Sequence, residues 1–115
     1  MTDDAYQAAI QLHAQGQHAE AEQALSSILA EEPGHLDASL ALAFMRSRRG
    51  DSPGAIGVTQ SAIALHPDSA RAQCCLGELL RIARRPEEAA KACEAALRLQ
   101  PDFAEAHNNL GLSLH

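Results

Sequence analysis

Three prolines stand at a spacing of 34 residues, at Pro33, Pro67 and Pro101. A fixed period of this length confines a chain to repeat architectures, in which each period is one supersecondary unit stacked on its neighbours. Sliding the sequence by 34 brings further columns into register. Ala9, Ala43, Gly77 and Gly111 share a column that is always small. Ala8, Leu42, Leu76 and Leu110 precede it and are always apolar, and Ala21, Ala55 and Ala89 form a column of alanine alone. After each of the three prolines comes a polar turn and then an alanine-rich segment: "HLDASLALAF", "SARAQCCLGEL", "FAEAHNNLGLSL". "TDDAYQAAIQL" at the N-terminus falls in the same phase.

Each unit reads as two helices. "DDAYQAAIQLHAQG" carries apolar residues at helical spacing and stops at Gly16, and Gly50 is the matching stop in the second unit. "HAEAEQALSSILAEEP" makes the second helix of the first unit, closed by Pro33. Asp51 or Ser52 is placed to cap the next second helix. Pro53 and Pro86 fall in first turns, where a missing N–H is harmless. The pattern predicts helices near 3–15, 19–31, 37–49, 53–65, 71–83, 87–99 and 105–115. The small columns mark where paired helices cross and their backbones approach. Gly54 and Gly57 inside the helix at 53–65 lower its propensity by about 1 kcal/mol each, so it is expected to be the softest inner helix.

Apolar residues make up 46% of the 115, yet only Tyr6, Phe44 and Phe103 are aromatic, so the core must be built from aliphatic side chains on closely packed helices. No run is long enough to span a membrane, and the acidic start lacks the basic and apolar regions of a signal peptide. Net charge is −6: residues 1–45 carry seven acids and no Lys or Arg, residues 46–85 are net +4, and residues 86–115 are net −3. That balance opposes binding a phosphate backbone, so no nucleic acid and no membrane is expected as a partner. Three cysteines, two of them adjacent, do not make a disulfide framework and suit a reducing, cytoplasmic setting.

The period, the helix pairs, the small residue in the first helix, the alanine in the second and the closing proline resemble the tetratricopeptide repeat. The third unit, "ARAQCCLGELLRIARRPEEAAKACEAALRLQPDF", is the most similar, with Leu76–Gly77, Ala89, Ala96 and Pro101. The resemblance implies an all-α fold, a right-handed α-α superhelix. It makes the chain one domain over 1–115, with repeats at about 2–35, 36–69 and 70–103 and a partial repeat at 104–115. Two columns depart from the family. Its early aromatic is replaced by Ala5, Ser39, Gln73 and His107, and its later tyrosine by Leu12, Arg46, Leu80 and Leu114. The last segment reads as a first helix without its partner. Its alternating Leu110, Leu112 and Leu114 make a poor cap, which favours a piece of a longer array and self-association through 105–115.

In this family the first helices line a concave groove. Carried over by phase, the groove residues expected here are Tyr6, Ile10 and His13 from the first unit and Asp37, Leu40, Phe44 and Arg48 from the second. Arg71, Cys74, Glu78 and Arg81 follow from the third unit, and Asn108, Asn109 and Leu112 from the last helix. Tyr6, Ile10, Leu40 and Phe44 would form an apolar strip bordered by arginines, suited to a peptide with apolar anchors and some acidic residues. Cys74 is expected to be open to the groove, and Cys75 and Cys93 to be packed. Arginines at 46–49 and 81–85 also offset the dipoles at first-helix ends.

Family members that clamp the C-terminal carboxylate of heat-shock chaperones use Lys, Asn and Arg. The matching sites here are Tyr6, Ile10, Ala41 and Cys75, and only Arg71 agrees. Members fused to O-linked glycosyltransferases carry an asparagine ladder, of which Asn109 is one rung, beside Gln7, Ala41 and Cys75.

Six histidines do not pair at the one-face spacing of metal ligands, no phosphate loop occurs, and no serine has a base partner in a motif. The chain is therefore expected to be no enzyme, with no cofactor and no metal, and to bind a protein or peptide. The alternative is the substrate-recruiting or oligomerising N-terminal region of a larger enzyme of glycosyltransferase, sulfotransferase or hydroxylase type.

Overall fold

Gly16 and Gly50 end their helices in the left-handed region, at φ 84° and 89°. In each case two backbone bonds close the turn. Gly16 N–H donates to His13 O at 3.0 Å and Gln17 N–H to Leu12 O at 2.9 Å. Gly50 and Asp51 repeat the pattern onto Ser47 and Arg46. This is the Schellman closure, which satisfies the last carbonyls of a helix and favours glycine. The third unit makes the same turn with Arg84 at φ 64°, a non-glycine residue in the same column.

The computed structural model describes residues 2–114. They form α1 Thr2–Ala14, α2 His18–Glu31, α3 Leu36–Arg48, α4 Ser52–Leu65, α5 Ala70–Ile82, α6 Pro86–Leu99 and α7 Ala104–Ser113. The seventh helix ends short of the span expected from sequence, and His115 lies outside the described residues. The second helices end at Glu32, His66 and Gln100, whose backbones turn away from helical geometry ahead of the spaced prolines. A β-turn with proline in second place then leads into the next first helix. In it His35, Ser69 and Phe103 donate N–H to Glu32, His66 and Gln100, each at 3.1 Å. His35 Nδ1 and Ser69 Oγ cap α3 and α5 by accepting from Ala38 and Ala72 N–H at 3.0 and 3.1 Å.

Each helix packs on the next in sequence, and α5 also touches α3 and α7. The result is an all-α superhelix of stacked antiparallel hairpins, 38 Å long and 21 Å thin. Its core is three successive clusters: Ala9, Leu25, Ile28 and Leu42 with their neighbours; then Ala43, Ala55, Leu79, Leu80 and Ala89; then Cys74, Ala96 and Ala106. Leu25 is wholly buried, and truncating such a side chain to alanine costs about 2–5 kcal/mol.

The small column does what its position demands. A Cβ on Gly77 would stand 2.6 Å from Cys93 Sγ and 3.3 Å from Ala89 O, so α5 and α6 approach as closely as they do only because Gly77 has no side chain. Gly54 serves another end. A Cβ there would collide with the Asp51 carboxylate, which accepts the Gly54 N–H at 3.0 Å and caps α4. Gly57 and Gly111 have nothing within 4 Å of where a Cβ would sit.

Candidate functional site

A cleft of about 250 Å³ opens between α3 and α5 on the face of the first helices. Leu40, Phe44 and Arg48 form one wall, and Cys75, Glu78 and Ile82 the other. Phe44 and Ile82 are about half exposed, at 51% and 47%, and both line this cleft, whereas the similarly exposed Leu65, Leu99, Leu112 and Leu114 do not. Arg48 lies across the Phe44 ring, and the His13 ring meets the same phenyl edge to face at 6.4 Å. The cleft is large enough for one or two side chains of a ligand, below the size of a pocket that encloses a small molecule.

Further along this face Asp37 and Arg71 form a hydrogen-bonded ion pair between α3 and α5. Tyr6 lies near both groups, and its ring packs against His35 at 5.4 Å. Burial raises the Tyr6 phenol above its ordinary range and the Asp37 charge adds to this, while Arg71 opposes them. Tyr6 and Ile10 are partly buried against the first core cluster, so they edge the face and do not stand free on it. Asn108 and Leu112 are exposed on α7. Arg81 is half-buried, and its Nε has no hydrogen-bond partner among the described residues.

Two of the expected groove residues are placed elsewhere. Cys74 is 3% exposed and Asn109 is 7% exposed. Asn109 Nδ2 donates to Cys74 Sγ at 3.5 Å across the α5–α7 contact. The reason is the last helix: α7 packs on α5 and covers a position that Tyr6 and Leu40, its equivalents in earlier units, leave half open. The cysteine that lines the cleft is Cys75, one residue further round the helix. Its column, with Gln7 and Ala41, was legible in the sequence, but the crowding by α7 was not. Burial pushes the Cys74 thiol up to about 11, with the Asn109 bond opposing, and also raises Cys75 and Cys93.

Several arginines are committed within the chain. Arg49 donates to Glu22 through Nε and Nη2 at 2.7 and 3.1 Å, and Arg46 Nε lies 3.7 Å from the same carboxylate. Arg85 pairs with Glu88 at 2.9 and 2.7 Å. A wider depression of about 520 Å³ runs beside α4, over Pro53, Ile56 and Gln60, where Gly57 contributes no side chain. It is shallower than the α3–α5 cleft, and its one charged lining residue is the paired Arg85.

Three histidines hold turns and caps: His35 as above, with His66 Nε2 2.7 Å from Gly34 O and His107 Nε2 2.8 Å from Pro101 O. His13 and His18, separated in sequence by the Gly16 turn, come together with their Nδ1 atoms 2.9 Å apart. Among the described residues no three His, Cys, Asp or Glu side chains are grouped to hold a metal, and no helix is long and apolar enough to cross a membrane.

Stacked helical hairpins whose first helices share one face define a helical-repeat solenoid. The chain belongs to the tetratricopeptide repeat family, whose profiles match residues 12–79 and 70–103. No curated protein matches it in sequence. Among solved structures it is similar to a mutant O-GlcNAc transferase of Thermobaculum terrenum, at 25% identity and a TM-score of 0.86, over 99% of this chain and 22% of that one. The chain thus spans less than a quarter of that relative. It is also similar to the first TPR domain of human RPAP3, at 23% identity and a TM-score of 0.89, over 99% of this chain and 90% of that one. A further likeness is to the first TPR of Spaghetti (RPAP3) bound to an HSP90 peptide, at 22% identity and a TM-score of 0.88, over 98% and 90% of the two chains.

Proposed function

We propose that the chain is a protein-interaction module that receives a peptide of a partner protein along the face of its first helices. The observation that carries this reading is the half-exposed Phe44, held in place by Arg48 and His13 beside an apolar cleft. An apolar anchor of the ligand enters between Phe44 and Ile82, and an acidic neighbour meets Arg48. The similar fold that holds a peptide supports this reading. The chaperone-type carboxylate clamp is not part of it, because Tyr6, Ile10, Ala41 and Cys75 stand where that clamp needs polar and basic groups. Peptide-library selection against the chain tests the proposal. Enriched peptides should compete with one another and lose binding to Phe44→Ala, whereas enrichment that survives this change would defeat it.

A second reading is favoured by the transferase likeness, which covers nearly all of this chain and a small part of the other. In it the module recruits substrates for a larger enzyme, and catalytic sequence continuous with residues 1–115 would establish it. In either setting the exposed Leu112 and Leu114 are apolar surface at the C-terminal end of α7 that a further helix or a second copy would cover. Sedimentation of the chain against Leu114→Glu tests self-association. The three unbridged thiols suit a reducing compartment.

A further inference from the structure

Phe44 and Arg48 stand one turn apart on α3, and Glu78 and Ile82 stand one turn apart on α5. The period of 34 makes Glu78 the equivalent of Phe44, and Ile82 the equivalent of Arg48. Because α3 and α5 are first helices of adjacent hairpins and run in the same direction, equivalent residues lie abreast across the cleft. The four side chains therefore mark its corners. Phe44 and Ile82 occupy one diagonal and are apolar. Arg48 and Glu78 occupy the other and carry opposite charges. All four are exposed.

Neither charge is neutralised from within the chain. Arg48 and Glu78 form no ion pair among the described residues, either with each other or with a third group. The Phe44 ring keeps Arg48 on its own wall. Further along this face, Asp37 and Arg71 already hold each other. An apolar side chain seated between Phe44 and Ile82 takes water from both of the remaining charges. That desolvation opposes binding unless the ligand brings opposite charges to them. A single acid satisfies Arg48 alone, and a second acid on the other flank is repelled by Glu78.

We infer that the cleft selects a segment of mixed charge: an apolar anchor with an acidic residue on one flank and a Lys or Arg on the other. The acid meets Arg48 at the end of α3, the base meets Glu78 one turn earlier on α5, and the anchor lies between them. Uniformly acidic segments are disfavoured by the same arrangement. The inference rests on the peptide-binding reading given above and adds to it the sign and placement of the ligand's charges. Exposed ion pairs contribute little each, so the anchor supplies most of the affinity and the charges sort one ligand from another.

A synthetic peptide library with a fixed central leucine and randomised flanks supplies the probe. Selected on the unmodified chain, it should enrich Asp or Glu on one flank and Lys or Arg on the other. Glu78 is exposed, so Glu78→Lys should keep its helicity. Selection on that variant should replace the preference for a base by a preference for an acid and leave the rest of the motif alone. For the best single peptide, Glu78→Lys should weaken binding about fivefold, and exchanging the peptide's base for glutamate should restore it to within about twofold. Raising the salt concentration should shrink the fivefold difference. Acids enriched on both flanks, or the same motif from both chains, would overturn the inference. If those peptides still lose binding to Phe44→Ala, the groove stands and only the charge reading falls. Peptides indifferent to Phe44→Ala, or no enrichment at all, would bring down both.

Discussion

Arg48 lies over the face of Phe44 with its guanidinium carbon 5.6 Å from the ring centroid. The contact holds an apolar surface and a positive charge in fixed relation at the mouth of the cleft. For a peptide selected on the unmodified chain, Phe44→Ala and Arg48→Glu should each weaken binding about tenfold or more, as truncation of a central anchor does. Glu20→Ala and Glu94→Ala, exposed on second helices, should leave it within about twofold, as energetically neutral positions do. Fluorescence anisotropy checks this, and equal losses on both sets would sink the groove.

Arg84 occupies a left-handed turn that Gly16 and Gly50 make in the other units. Arg84→Gly should stabilise the chain by about 1 kcal/mol, because the side chain opposes that conformation. Gly50→Ala should destabilise it by a similar amount. Urea denaturation of the two variants gives opposite signs if the turn is as described.

Gly77 and Gly111 share a column but not an environment. Gly77→Ala must push Cys93 aside and should cost about 1–3 kcal/mol, the range of an overpacked core. Gly111→Ala meets nothing and should be neutral or stabilise by up to about 1 kcal/mol through helix propensity. Thermal melts of the pair decide it.

Helix α4 contains two glycines, Gly54 and Gly57, and they should respond differently. Gly57→Ala fills open space and should add about 1 kcal/mol. Gly54→Ala gains the same propensity but displaces the Asp51 cap, worth about 1 kcal/mol, so the two effects should nearly cancel. Amide exchange in the unmodified chain should be fastest, among the inner helices, in α4.

Burial raises the Cys74 thiol from 9.0 to about 11. A group whose pKa is higher in the folded state stabilises the fold fully below its unfolded value and loses that contribution as pH rises through the folded one. Stability should therefore decline between about pH 9 and about pH 11, with Cys75 and Cys93 acting in the same direction. Cys74→Ala should flatten the decline, as followed by urea melts at stepped pH.

The helices were legible to within a residue or two because proline, glycine and the small columns mark boundaries through local backbone geometry. Phe44, Leu40, Arg48 and Glu78 were placed by the same phase, and all four line the cleft. Cys74 and Asn109 were misplaced because their exposure depends on how far α7 leans onto α5, a tertiary matter that a column cannot express. The Arg84 turn, the His35 cap and the meeting of His13 with His18 were likewise hidden. Each depends on a side chain adopting a role that its residue type takes up only rarely.

The extensive contacts all join helices one or two steps apart along the chain, and the hydrophobic interior is divided into three successive parts. Damage at one end therefore has no direct route to the other, and the molecule should yield to pulling hairpin by hairpin, like a zipper opened tooth by tooth. Lengthening such a chain would extend the surface it offers without redesigning any part already built.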